Sequence, residues 1–184
     1  MPHSLAVRFA LLATLVACLV SLGAGATAAT AAPKPTRTIA ADALLETTVL
    51  AELNAIRRAH GLTPLRRSTP LAAAANSHSR DMARFGFFEH ESRDGSAFWH
   101  RVKRFYGSRG YGNWSVGENL LWSTTGIDAR RAVELWMKSP GHRKNILTAR
   151  WREIGLAAVV VAGAPGIYDG RDVVIITTDF GVRT

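Results

Sequence analysis

Three titratable residues stand in distinctive local contexts. His90 ends the run FGFFEH, Glu118 sits inside VGENLL, and His142 sits inside SPGHRKNIL. Two imidazoles and a carboxylate suit a divalent metal such as Zn2+, with water in the fourth position. The same set suits polarising a water for hydrolysis, although one glutamate serves poorly as both metal ligand and base. A third arrangement needs no chemistry: a hydrogen-bonded knot of His90, Glu118 and His142 that satisfies buried polar groups. The three lie 28 and 24 residues apart, so only the tertiary fold can assemble them. Other candidates are weaker. His78 and Asp81 are three apart on a helical stretch, where His78 either faces a cleft or makes one surface hydrogen bond. Ser139 precedes Pro140 and reads as an N-cap; as a nucleophile it lacks the sharp strand-to-helix turn. Tyr111 and Trp114 occupy a Gly-rich loop and either line a glycan or lipid groove or simply pack, whereas Trp136 reads as core.

Those residues need elements to hold them. From Leu44, apolar residues at 45, 49, 50, 53 and 56 recur at helical spacing, with Asp42 as cap and Gly61 and Pro64 as stops. A second helix opens at Ser68-Thr69-Pro70 and ends at Gly86. A third is expected over Ser96 to Phe105, an extended piece over Val116 to Trp122, and a fourth helix over Asp128 to Lys138. Ser139-Pro140-Gly141 breaks the fourth, and a short helical turn follows near His142 to Leu147. Two β-branched runs, Ile154 to Val161 and Val173 to Phe180, close the chain as a hairpin. Helices first and an antiparallel pair last predict an α+β fold rather than a parallel α/β sheet.

The N-terminus reads as an export signal. Arg8 is the one full charge before Lys34, Phe9 to Leu22 is an apolar run of 14 residues, and small residues with A-x-A-like sites follow. The run is shorter than the ~20 residues that span a bilayer, so no stable transmembrane span is expected after processing. The organisation expected is a signal peptide over 1–28, a flexible linker over 29–41 and one domain over 42–184. Leu15-Val16-Ala17-Cys18 also resembles a lipobox, leaving lipid anchoring through Cys18 as the minority alternative to release near Ala26 or Ala28. Cys18 is the only cysteine, so a chain cut near those alanines has no disulfide and relies on its packed core. The formal net charge is +9; loss of Arg8 with the signal leaves +8. That balance favours anionic surfaces. The basic residues are scattered, and nothing suggests nucleic-acid reading.

The ordered motifs LNAIRRAHGLTPL, LAAAANSHSRDMARFGFFEH, GENLLW, VELWMKSPGHRKNIL, EIGLAAV and VIITTDFG together resemble the bacterial form of the CAP superfamily (cysteine-rich secretory, antigen 5 and pathogenesis-related proteins). The resemblance covers roughly Leu44 to Gly181 and implies an α-β-α sandwich. It also implies a cleft carrying two histidines and two acids, matched by His90, Glu118 and His142. The fourth position falls on Ser139, so the chain departs from the tetrad there. Many such proteins bind sterols, lipids or proteins and few are accepted as enzymes. The expected function is therefore a secreted binding module for an envelope glycan, lipid or protein, with a cleft including His78 and Ser139 and a metal site at His90, Glu118 and His142. The alternative is a metal-dependent, peptidase-like hydrolase.

Overall fold

The computed structural model describes residues 37–184. The expected signal peptide over 1–28, Cys18 and residues 29–36 of the expected linker lie outside the described residues. Within them, helices α1 (Ala43–Ala59), α2 (Thr69–Phe85), α3 (Phe98–Phe105), α4 (Ala129–Lys138) and α5 (Pro140–Ile146) enclose a five-stranded sheet. Its strands are β1 (Ile39–Ala41), β2 (Arg66–Arg67), β3 (Trp114–Thr124), β4 (Glu153–Val161) and β5 (Val173–Arg183). The main order is β1-β4-β5-β3, with β2 parallel to the start of β4. The long pairs β4–β5 and β5–β3 are antiparallel.

Strand alternation explains the layering. On β4 and β5, Leu156, Ala158, Val174 and Ile176 face one side, against Leu45, Val49 and Leu53 of α1 and Ala132, Val133 and Trp136 of α4. Val159, Val161, Val173 and Ile175 face the other side, against Met82 and Ala83 of α2. Both faces are covered, so both strands read as continuous apolar runs. This is the α-β-α sandwich that the motif resemblance implied, in an α+β chain. Arg57 ties the first layer together: it is fully buried and donates to the carbonyls of Thr63, Ile146 and Thr148 at 3.0, 2.7 and 3.0 Å.

Three expectations shift. The linker read over 29–41 is corrected at its end, because Ile39–Ala41 form β1 against Val159–Val161 of β4; that edge offers unpaired backbone groups, and Ile39 packs against the sheet's apolar face. The third helix starts at Phe98, not Ser96, since Asp94 Oδ1 accepts from the Ser96 N–H at 3.0 Å and holds a local turn. The extended piece over 116–122 grows to Trp114–Thr124, paired along its length with β5.

Candidate functional site

The cleft lies on the edge strand β3, where consecutive side chains reach opposite layers. Glu118 faces the α2/α3 side, as Leu120 does, and Asn119 faces α5. Gly117, just before Glu118, has no side chain, and a Cβ there would meet Asn145 Oδ1 at 3.0 Å and Trp151 at 3.1 Å. That close approach seats α5 on the strand. The hollow is about 410 Å³ and is lined by His90, Glu91, Phe98, Val116, Gly117, Glu118 and Asn145.

Glu118 is the centre of the arrangement. Its side chain has 0% exposure. Oε1 accepts from His90 Nδ1 at 2.8 Å, and Oε2 accepts from the Arg101 guanidinium of α3. Arg101 also donates to Ser92 Oγ at 3.0 Å. Both carboxylate oxygens are therefore committed inside the protein. His90 is 46% exposed at its side chain, with Nδ1 held by Glu118. The hydrogen bond to Glu118 raises the His90 pKa, against opposition from burial. Phe98 packs at 6.4 Å from the His90 ring.

His142 comes from the start of α5. Its carbonyl accepts from Asn119 Nδ2 at 3.1 Å, and Asn145 Nδ2 donates to Asn119 Oδ1 and to the Glu118 carbonyl, each at 2.9 Å. Burial lowers the His142 pKa, and the nearby His90 charge lowers it further. The fold thus brings His90 into contact with Glu118, whereas His142, whose pKa the His90 charge lowers, is not among the residues lining the hollow. His78 is buried in α2, where Nε2 bonds the Glu89 carbonyl at 2.8 Å and its ring meets Phe87 edge-on. It braces the segment that carries His90 and does not line the hollow. Ser139 is the N-cap of α5 and makes no side-chain capping bond; it too lies outside the lining. Trp136 is core, donating Nε1–H to the Leu120 carbonyl at 2.9 Å. Trp114 bonds the Tyr106 carbonyl and packs against the α2/α3 cluster, whereas Tyr111 is exposed beneath Arg183.

Three participants escaped the sequence reading. Arg101 lies on the expected third helix and had no assigned role. Asn145 lay inside a quoted motif, three residues after His142, without an assigned role. Asp179 sits opposite Glu118 in the β3–β5 register and is fully buried. No N–H or O–H donor reaches either of its oxygens among the described residues, and burial followed by the Glu118 charge holds its pKa well above the usual carboxylate range. An acid inside VVIITTDF was the available signal.

As placed, the trio does not fit a three-ligand metal site. Glu118 has no free oxygen, and among the described residues no three His, Cys, Asp or Glu side chains are grouped to hold an ion. The imidazoles of His90 and His142 remain as donors.

A sandwich of this topology is the architecture that the motifs implied. The sequence model of the cysteine-rich secretory protein (CAP) family matches residues 50–173, and the chain belongs to that family. Two Bacillus subtilis proteins are similar: the uncharacterized membrane protein YlbC, 32% identical over 60% of this chain and 30% of its own, and the uncharacterized protein YkwD, 33% identical over 58% and 39%. The chain therefore spans well under half of these relatives' length. Among solved structures, an extracellular SCP-domain protein of Bacillus anthracis matches with TM-score 0.55 and 28% identity over 73% of this chain and 39% of its own. An outer surface protein of Borrelia burgdorferi shares the fold, with TM-score 0.64 and 18% identity over 81% of this chain and all of its own. No helix among the described residues is long and apolar enough to cross a membrane.

Proposed function

We propose that the chain is an exported CAP-domain binding module whose His90 cleft engages a glycan, lipid or protein of the cell envelope without cleaving it. One observation carries this reading: Glu118 is closed off between His90 and Arg101, so the cleft's buried carboxylate is neither a free base nor a free ligand. What the hollow offers is a shaped surface with a half-exposed imidazole, an aromatic wall at Phe98 and the amide of Asn145. The exported character rests on the signal-like N-terminus and is in keeping with the Bacillus anthracis relative, which is described as extracellular.

The hydrolytic alternative would need a base other than Glu118: the His90 imidazole, held at Nδ1 by Glu118, or the exposed Glu91 at the rim. Incubation with purified envelope peptides and glycans, followed by mass spectrometry, tests the choice. The binding reading expects no fragments. Fragments produced by the wild type and lost in Glu91→Gln or in His90→Ala would overturn it. Zinc enters as a secondary proposal, held by His90 and His142 with Glu118 fixing the His90 ring from behind. Calorimetry checks it: heat from zinc in the wild type must vanish in the His90→Ala/His142→Ala variant.

A further inference from the structure

A second hollow, of about 310 Å³, opens where the described chain begins and is lined by Arg37, Ile39, Arg80 and Arg84. Arg80 and Arg84 are one turn apart on α2, and Arg37 reaches in from the residues just before β1. Two of the three are fixed by the backbone around them. Arg37 Nε donates to the Gly163 carbonyl at 2.6 Å; Arg80 donates to Asn76 Oδ1 at 3.0 Å and to the Ile39 carbonyl at 3.1 Å. Each guanidinium has five N–H donors, so these bonds leave further donors on both, and Arg84 makes no side-chain bond among the described residues.

The acids that would ordinarily neutralise such a cluster are elsewhere. None of the three arginines pairs with a carboxylate among the described residues. Residues 1–36 contain no Asp or Glu that could supply one. Asp81 lines a different hollow with Asp94 and Arg101, and Asp172 is turned to the Gly163 N–H at 2.8 Å. Complementing the C-terminal end of the α2 dipole accounts for Arg84 alone; it explains neither Arg37 nor Arg80. Three like charges held around one concavity repel each other, and an oxyanion removes that repulsion. Guanidinium forks match the oxygens of a tetrahedral phosphate.

We propose that Arg37, Arg80 and Arg84 form a phosphate-binding site, distinct from the His90 cleft, that takes a phosphate group either free or on a lipid headgroup. Titration of the purified protein with inorganic phosphate at constant ionic strength, read by calorimetry, tests it. Binding to phosphatidylcholine vesicles with and without phosphatidylglycerol separates the two sources. Arg84→Gln and Arg37→Gln are the informative variants, and Arg131→Gln on α4 removes the same charge at a distant, exposed position. Melting curves confirm that each variant is folded. Phosphate binding weakened about tenfold by either pocket variant and unchanged by Arg131→Gln supports the site. The same pattern on phosphatidylglycerol vesicles identifies the headgroup as the source, and its absence there identifies free phosphate. Failure of the wild type to bind either probe, or equal loss in Arg131→Gln, overturns the proposal.

Discussion

Glu118 and Asp179 are neighbours across two paired strands, yet the structure gives them opposite fates. Glu118 meets a guanidinium and an imidazole; Asp179 meets no donor among the described residues, and burial raises its pKa. A carboxyl whose folded pKa is raised binds more protons folded than unfolded between the two values. Its effect on stability is therefore absent below the unfolded value near ~3.8 and grows unfavourable as pH rises above it. Asp179→Asn keeps the shape and removes that loss. The variant should match the wild type in denaturant melts near pH 3 and become progressively more stable than it toward pH 7. His90 has the opposite linkage. Its pKa is raised by Glu118, so the pair's contribution is complete below the ordinary histidine value near ~6.5 and fades as pH rises through the folded value. NMR titration of metal-free protein should find His90 above and His142 below that ordinary value, with His90 falling back in Glu118→Gln. The two histidines and the glutamate were legible because their types are rare and their contexts distinctive. Arg101 and Asp179 were not, because burial of a charge is decided by neighbours from other elements.

At the scale of elements, the long amphipathic helices and the β-branched runs announced themselves by period and composition. The Asp42 cap behaves as read, accepting from the Leu45 N–H at 2.9 Å. Strands β1 and β2 were invisible, since three and two residues carry no period; pairing with β4 makes them strands. The contact that sets α2 against the sheet also leaves little trace in sequence. A Cβ on Gly155 of β4 would stand 2.0 Å from the Leu71 carbonyl carbon and 2.1 Å from the Ala72 nitrogen. Both are backbone atoms and cannot rotate away. Gly155→Ala should therefore destabilise the domain by at least about 3 kcal/mol, read from the urea midpoint, by forcing strand and helix apart. Gly117 plays the matching role between β3 and α5, against side chains that have more room to adjust.

For the whole molecule, the sandwich places the two candidate sites on different parts of the surface: the His90 cleft on the β3 edge, and the arginine hollow beside β1 at the opposite end of the strand order. The described domain contains no cysteine, so its stability rests on the two packed layers and on ties such as Arg57. Fold class was legible at this scale because six ordered motifs span nearly the whole domain. The ligand was not, because a cleft's shape is made by residues that meet only after folding. The claim that the cleft binds envelope material is tested most directly by equilibrium binding of the purified protein to cell-wall and membrane preparations. The account predicts saturable binding to one of them, weakened about tenfold in His90→Ala. No saturable binding to either preparation, or binding indifferent to His90→Ala, would contradict it.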